Sequence, residues 1–344
     1  MKTLEELIRP NVLRMSPYSS ARDEFKGEAK VFLDANENPW NAPYNRYPDP
    51  LQAKVKERIS ALKGIPSERI FLGNGSDEAI DLILRAFCEP RVDNMVTIAP
   101  SYGMYEVAAE VNDVECRKVA LDDRFDLDAE ALLKAVDEQT KVIFLCSPNN
   151  PSGNSLSREA VNVILQRFEG IVVMDEAYID FSSHPSFLRE LTTFPRLIVM
   201  QTLSKAWGAA AIRLGMAFAS PQIIGVLNKI KYPYNVNLLT QEKALELLAH
   251  VERKERQVRE ILAERERMAK VFMGEPFGYQ VYPSDANFLL INVGEPDRIY
   301  KALIEKGIVV RNRNNVQKCL GCLRITIGTP EENETLIEEM RRLA

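Results

Sequence analysis

Residues 197–208 read LIVMQTLSKAWG: four apolar residues in a row, a polar step, and then a lysine. The run 197–200 has no polar alternate, which marks a strand covered on both faces, and such strands belong to mainly parallel sheets flanked by helices. Lysine is rarely withdrawn from water without a partner, so Lys205 at the exit of a buried strand asks for a reason. Further short apolar runs lie at 70–72, 95–98, 142–146, 171–174 and 216–219, alternating with helical patterns at 77–87, at 158–168 and after Gly208. This alternation predicts an α/β fold with a large, mainly parallel sheet. A single long helix over 240–272 then leads to β-like stretches at 288–293 and 323–327 and to helices at 297–305 and 331–343, which together read as a smaller α+β domain.

Composition narrows the function. At 344 residues the chain exceeds the size at which one core stops growing. Its 44 Lys plus Arg against 49 Asp plus Glu leave a net charge of −5, with both signs interspersed, which argues against a dedicated nucleic-acid surface. No apolar run approaches the ~18 residues of a membrane span, and the opening MKTLEELIRPNVLRM lacks the apolar core of a secretory signal. The 5 cysteines, Cys88, Cys116, Cys146, Cys319 and Cys322, are an odd number that suits a reducing cytoplasm. Cys319 and Cys322 form a lone CxxC, and His184 and His250 are the only histidines, so free thiols are expected and no metal. The charge run 252–267 holds Glu252/Arg256 and Glu255/Arg259 in the favourable i,i+4 order, as a solvated helix face does.

Four motifs fall where α/β sheets bind ligands, at strand ends and helix starts. LGNGSDE (72–78) is a glycine turn opening a helix; its N–H groups, with Ser76 near the cap, suit a phosphate. SPNNPSG (147–153) follows a strand and, read alone, is a turn. VVMDEAY (172–178) sets Asp175 directly behind an apolar run, where a carboxylate needs a cationic or hydrogen-bonding partner; a structural ion pair is the competing reading. Residues 202–215 then supply hydroxyls, Lys205 and Arg213. A partly desolvated amine favours its neutral form, as capture of an aldehyde requires. A ligand with a phosphate, a carbonyl and a basic ring nitrogen answers all of these, and pyridoxal 5'-phosphate has the three.

With SPYSSAR (16–22), LDANENP (33–39), NRYP (45–48), PSYGMY (100–105) and CLRITIG (322–328), the chain resembles the fold-type-I pyridoxal-phosphate aminotransferases. Within them it is similar over nearly its whole length to the histidinol-phosphate aminotransferase family. The resemblance implies a seven-stranded sheet in a large cofactor domain at 36–245, a small C-terminal domain at 246–344, and an N-terminal arm, 1–35, adding to the small domain and to a dimer contact. Lys205 is implied to bind the cofactor covalently and to shuttle the proton, Asp175 to pair with the ring nitrogen, and Asn150 and Tyr178 to meet the ring hydroxyl. Tyr102 stacks on the ring; Ser76, Asp77, Ser204 and Arg213 hold the phosphate, and Tyr47 reaches it from the second subunit of a homodimer with shared sites. Arg324 and Arg311 are implied to bind the substrate phosphate, with Tyr18 and Asn36 lining the pocket; Arg313 is a rival to Arg311. Trp207, Ala211 and Ser152 depart from the family's commoner Phe, Gly and Thr, which touches packing and turn geometry. The implied partners are a phosphorylated amino alcohol and glutamate or 2-oxoglutarate, in the cytoplasm. An aromatic-amino-acid aminotransferase and a phospho-amino-acid decarboxylase fit nearly the same pocket; a cofactor-sensing regulator or a pure binding protein is the reading from outside catalysis.

Overall fold

In the structure, a computed structural model describing residues 3–18 and 30–343, the apolar runs become one seven-stranded sheet. Its strands are β1 (Ile70–Asn74), β2 (Asn94–Ala99), β3 (Glu115–Ala120), β4 (Thr140–Cys146), β5 (Ile171–Asp175), β6 (Leu197–Thr202) and β7 (Leu214–Phe218), in the order β1-β7-β6-β5-β4-β2-β3. The pairs from β3 across to β6 are parallel, and β7 runs antiparallel to both β6 and β1. The absence of alternation in the sequence has a direct cause. Val172, Met174, Leu197 and Val199 enter one core, while Ile171, Val173, Ile198 and Met200 enter the core on the opposite face. Both faces of the central strands are dry.

Three features differ from the sequence-based reading. β3, ECRKVA, was not anticipated, because it is an edge strand with no fully buried residue and carries none of the apolar signature. Its Arg117 pairs with Glu115 and with Asp137, at 3.0 and 2.6 Å, a charged edge of the kind that discourages further strand pairing. The helix expected after Gly208 is only the 3₁₀ turn Ala210–Ile212, since β7 pairs antiparallel with β6 and a short connection suffices. The long helix is two helices, Leu238–Leu248 and Val251–Met273, broken where His250 adopts φ −114°, ψ 58°. Arg58, on the helix Ala53–Lys63, donates from Nε and Nη2 to the Leu248 carbonyl at 3.0 and 2.8 Å, holding that helix end to the large core.

A second sheet follows: β8 (Gln280–Val281), β9 (Phe288–Asn292), β10 (Arg311–Asn312) and β11 (Cys322–Thr326), antiparallel in the order β10-β11-β9-β8. One face, with Leu289, Ile291, Leu323 and Ile325, packs on Met268, Phe272, Ile299 and Ile337 of its helices. The other face sends Leu290 and Cys322 into a core of the large sheet. At the N-terminus, Leu7, Ile8 and Val12 are buried with Phe87 and Leu227, so this part of the arm packs on the large sheet's helix layer and not on the small sheet. Of SPYSSAR, residues 19–22 lie outside the described residues. Among the described residues no helix is long and apolar enough to cross a membrane.

The tightest approach in the large sheet lies between β7 and the helix Gly75–Phe87. A Cβ on Gly215 would stand 2.3 Å from the Gly75 carbonyl carbon and 2.4 Å from the Ser76 nitrogen. Backbone cannot yield as a side chain does, so Gly215→Ala is expected to cost at least ~1–3 kcal/mol in urea unfolding. Gly225→Ala, on the helix Pro221–Ile230 with open space around it, is expected to stabilise by about 0.5–1 kcal/mol in the same measurement.

Candidate active site

The parallel strands β4, β5 and β6 and the start of the helix Gly75–Phe87 end at one side of the sheet, where a cavity opens to solvent. Ser76, Asp77, Tyr102, Asn150, Asp175, Tyr178, Ser204, Lys205 and Arg213 all line it. The structure therefore gathers nine of the sequence-predicted residues into one site.

Asp175 is the last residue of β5 and is 3% exposed. The Tyr105 hydroxyl donates to its Oδ2 at 2.6 Å and the Ala177 N–H to its Oδ1 at 3.1 Å. Burial raises its pKa above the ordinary carboxylate value, against the pull of these two donors and of Lys205. Such a carboxylate has room for one more cationic or N–H partner. Lys205 answers across the cavity: burial first, then the positive charges of Arg324 and Arg213, lower its pKa, while Asp175 acts the other way. Its Nζ stands 5.4 Å from the centre of the Tyr178 ring. The lysine that was puzzling in the sequence is thus an amine biased toward its neutral, nucleophilic form.

An anion cradle sits at the other end. Gly75, at φ +68°, donates its N–H to the Arg213 carbonyl at 2.8 Å, and a Cβ there would meet Arg213 Nη2 at 2.4 Å. Only glycine allows the guanidinium to lie over the helix start. Arg213 pairs with Asp77 at 3.2 Å, and Tyr102 donates to the other Asp77 oxygen at 3.1 Å. The Ser76 Oγ is buried with no hydrogen-bond partner among the described residues, while Thr202 Oγ1 and Ser204 Oγ lie 3.0 Å apart. An orphaned hydroxyl, free helix N–H groups and an arginine are a donor set that fits a phosphate.

Other predicted residues lie elsewhere. Arg324, on β11, reaches toward the site and donates to Asn150 Oδ1, with its guanidinium 5.2 Å from the Phe288 ring. Arg311, opposite it on β10, lines a neighbouring cavity with Arg324. Tyr47 stacks on Tyr234 at 4.4 Å and lines a separate cavity with Asn36. Tyr18 is exposed and lines a further one. Within one chain the last three do not reach the Lys205 cavity. Cys319 and Cys322 are buried free thiols whose pKa values burial raises, to about 12 and about 11, so both stay protonated at neutral pH.

Sequence reasoning missed Tyr105, Cys146, Ala177 and Thr202. Tyr105 was quoted within PSYGMY but given no role; its signal is its place in the first turn of the helix Met104–Val111, just past the end of β2, which points it at the same sheet edge. Cys146 and Thr202 end β4 and β6 and border the cavity by position alone.

Comparison with known proteins agrees with this geometry: the model of the family "Aminotransferase class I and II" matches residues 25–340. The chain belongs to the class I and II aminotransferases. A histidinol-phosphate aminotransferase of Parabacteroides distasonis is 71% identical to this aminotransferase over 343 residues, covering 100% of this chain and 99% of its own. One from Bacteroides thetaiotaomicron is 57% identical, with 99% of each chain covered. The solved structure of histidinol-phosphate aminotransferase from Sinorhizobium meliloti in complex with pyridoxal-5'-phosphate superposes with a TM-score of 0.78 at 24% identity, covering 90% of each chain. That last likeness carries the fold.

The electrostatics of Lys205 give a pH signature. Its folded-state pKa lies below the ordinary 10.5, so the native state holds fewer protons than the unfolded chain between the lowered value and 10.5, and stability rises with pH across that interval. Lys205→Met removes the half-buried ammonium. Without added cofactor it is expected to melt above the wild type at pH 7, the difference shrinking as pH approaches 10.5. A constant difference in melting temperature across that range would refute the assignment of a lowered pKa.

Proposed function

We propose that the protein catalyses reversible transfer of an amino group between histidinol phosphate and 2-oxoglutarate, giving imidazole-acetol phosphate and glutamate, with pyridoxal 5'-phosphate as cofactor. One observation carries the reading: Lys205 and Asp175 border one cavity whose far end holds the Ser76, Ser204 and Arg213 donors. The activity borne in the names of the two close relatives supports the choice of substrate.

When bound, pyridoxal phosphate supplies an aldehyde that receives the amino group and a protonated ring that takes up electron density. The chain's residues do the rest. Ser76, Asp77 backbone, Ser204 and Arg213 would hold the phosphate, Tyr102 would flank the ring, and Asn150 and Tyr178 would hydrogen-bond its hydroxyl. Asp175, dry and pinned by Tyr105, holds a proton on the ring nitrogen, since a carboxylate with so little water nearby gains from a cationic partner. The Lys205 amine takes and returns the proton at the substrate α-carbon. Arg324 binds the substrate's anionic end with a planar fork of donors that suits carboxylate and phosphate alike, and Arg311 assists it.

The working unit is a homodimer: Tyr47 and Asn36 line their own cavity in one chain and complete the site of a second copy, with Tyr18 nearby. The arm, large domain and small domain divide at about residues 35 and 245, with the helix Val251–Met273 leading into the small sheet. Five free cysteines suit the reducing cytoplasm.

Two measurements test the reading. After loading with pyridoxal phosphate, borohydride reduction and peptide mass spectrometry are expected to place the pyridoxyl group on Lys205; finding it on another lysine overturns the site. Arg324→Lys is expected to lower kcat/KM with glutamate by roughly ten- to a hundredfold, the value of a charge-assisted bidentate contact. Kinetics equal to wild type would remove Arg324 from the anion site.

A further inference from the structure

The face of the small sheet that packs toward the large one carries three arginines. β10 pairs antiparallel with β11, so Arg311 stands opposite Arg324. The Arg313 N–H donates to the Cys322 carbonyl at 3.0 Å and extends the ladder by one step. Residues two apart on a strand share a face, which sets Arg311, Arg313 and Arg324 beside Cys322 and Leu290, both buried in a core of the large sheet.

These guanidinium groups are poorly compensated. Among the described residues, none of the three has a carboxylate partner; the acceptor that Arg324 reaches is the neutral amide of Asn150. The Nε atoms of both Arg313 and Arg324 are buried without an acceptor among the described residues. Burial and the charges of Arg324 and Arg311 bring the Arg313 pKa down to about 10, with the opposing pull coming only from Cys319 and Tyr178. Arg313 shares its face with Arg324, whose guanidinium reaches Asn150 at the Lys205 cavity, and it is partly buried, whereas Arg311 is exposed. A buried N–H without an acceptor beside like charges is costly, and the natural remedy is an incoming anion. A phosphate dianion offers more charge and more acceptor oxygens than a carboxylate. Two arginines answer it better than one.

We propose that Arg313 is a specificity-determining residue that grips the substrate's phosphate together with Arg324 and favours phosphorylated substrates over carboxylates. The inference rests on the amino-transfer reading above and names a further residue for it.

The test compares cofactor-loaded wild type, Arg313→Gln and Arg313→Lys on histidinol phosphate and on glutamate. The ratio of kcat/KM for histidinol phosphate to that for glutamate is expected to fall by about tenfold or more in Arg313→Gln, chiefly through KM, and to recover in part in Arg313→Lys. In parallel, inorganic phosphate is expected to compete with glutamate on the wild type, with an inhibition constant raised about tenfold in Arg313→Gln. The cofactor's own phosphate fills the Ser76 cradle in these samples, so the inhibition reports on the substrate side. A ratio unchanged within about twofold, or an equal loss on both substrates, overturns the assignment; the second result marks a purely structural arginine. Failure of the wild type to use histidinol phosphate at all would instead overturn the functional reading, and the phosphate constants would then decide Arg313 alone.

Discussion

A carboxylate at the dry end of a parallel sheet is the constraint around which this protein is organised. Asp175 is set there by a strand that is apolar on both faces, and its neighbours are chosen to hold it: a tyrosine hydroxyl and a backbone N–H fix both oxygens, yet neither brings a full positive charge. The opposite wall is cationic, with Lys205, Arg213 and Arg324 acting on one another through a poorly solvated space. Charge separation of this kind is unfavourable in the empty fold and becomes favourable when a ligand with complementary ends lies between the walls. The site is less stable than its surroundings so that it can be selective.

The scaffold tolerates this because the walls come from different parts of a rigid core. β5 delivers the carboxylate and β6 the lysine from adjacent parallel strands, while the antiparallel β7 returns at once to bring Arg213 over the helix start. That return needs two glycines in contact, Gly75 and Gly215, where backbone meets backbone. The small sheet then contributes Arg324 from the other side, so the cationic groups of the site are split between two layers that pack through Phe288, Tyr178 and Val258.

Much of this was legible in the sequence, for physical reasons that differ by element. The central strands announce themselves because burial on both faces requires uninterrupted apolar runs; Lys205, Asp175, Ser76 and Arg213 stand out by chemistry at strand ends and helix starts, whereas Tyr102, Asn150 and Tyr178 are marked only by the family resemblance. β3 was silent because an edge strand half in water needs charge rather than oil. The break at His250 was silent because it reflects which surface each helix packs against, and Ala249-His250 contains neither glycine nor proline to mark it. The hairpin to β7 was misread as a helix because the run of alanines after Gly208 has high helix propensity, which the antiparallel pairing overrides. Tyr105 gained its role only from three-dimensional proximity to Asp175, 70 residues away in sequence.

The contact between Arg213 and Asp77 has a consequence for the behaviour of the site in salt. Because the arginine already has a counter-ion in its own chain, an anion arriving at the helix start would compete with Asp77 for it and would not meet a bare cation. The pair presents little net charge to such an anion, so long-range attraction contributes little and occupancy of the cradle should depend only weakly on ionic strength.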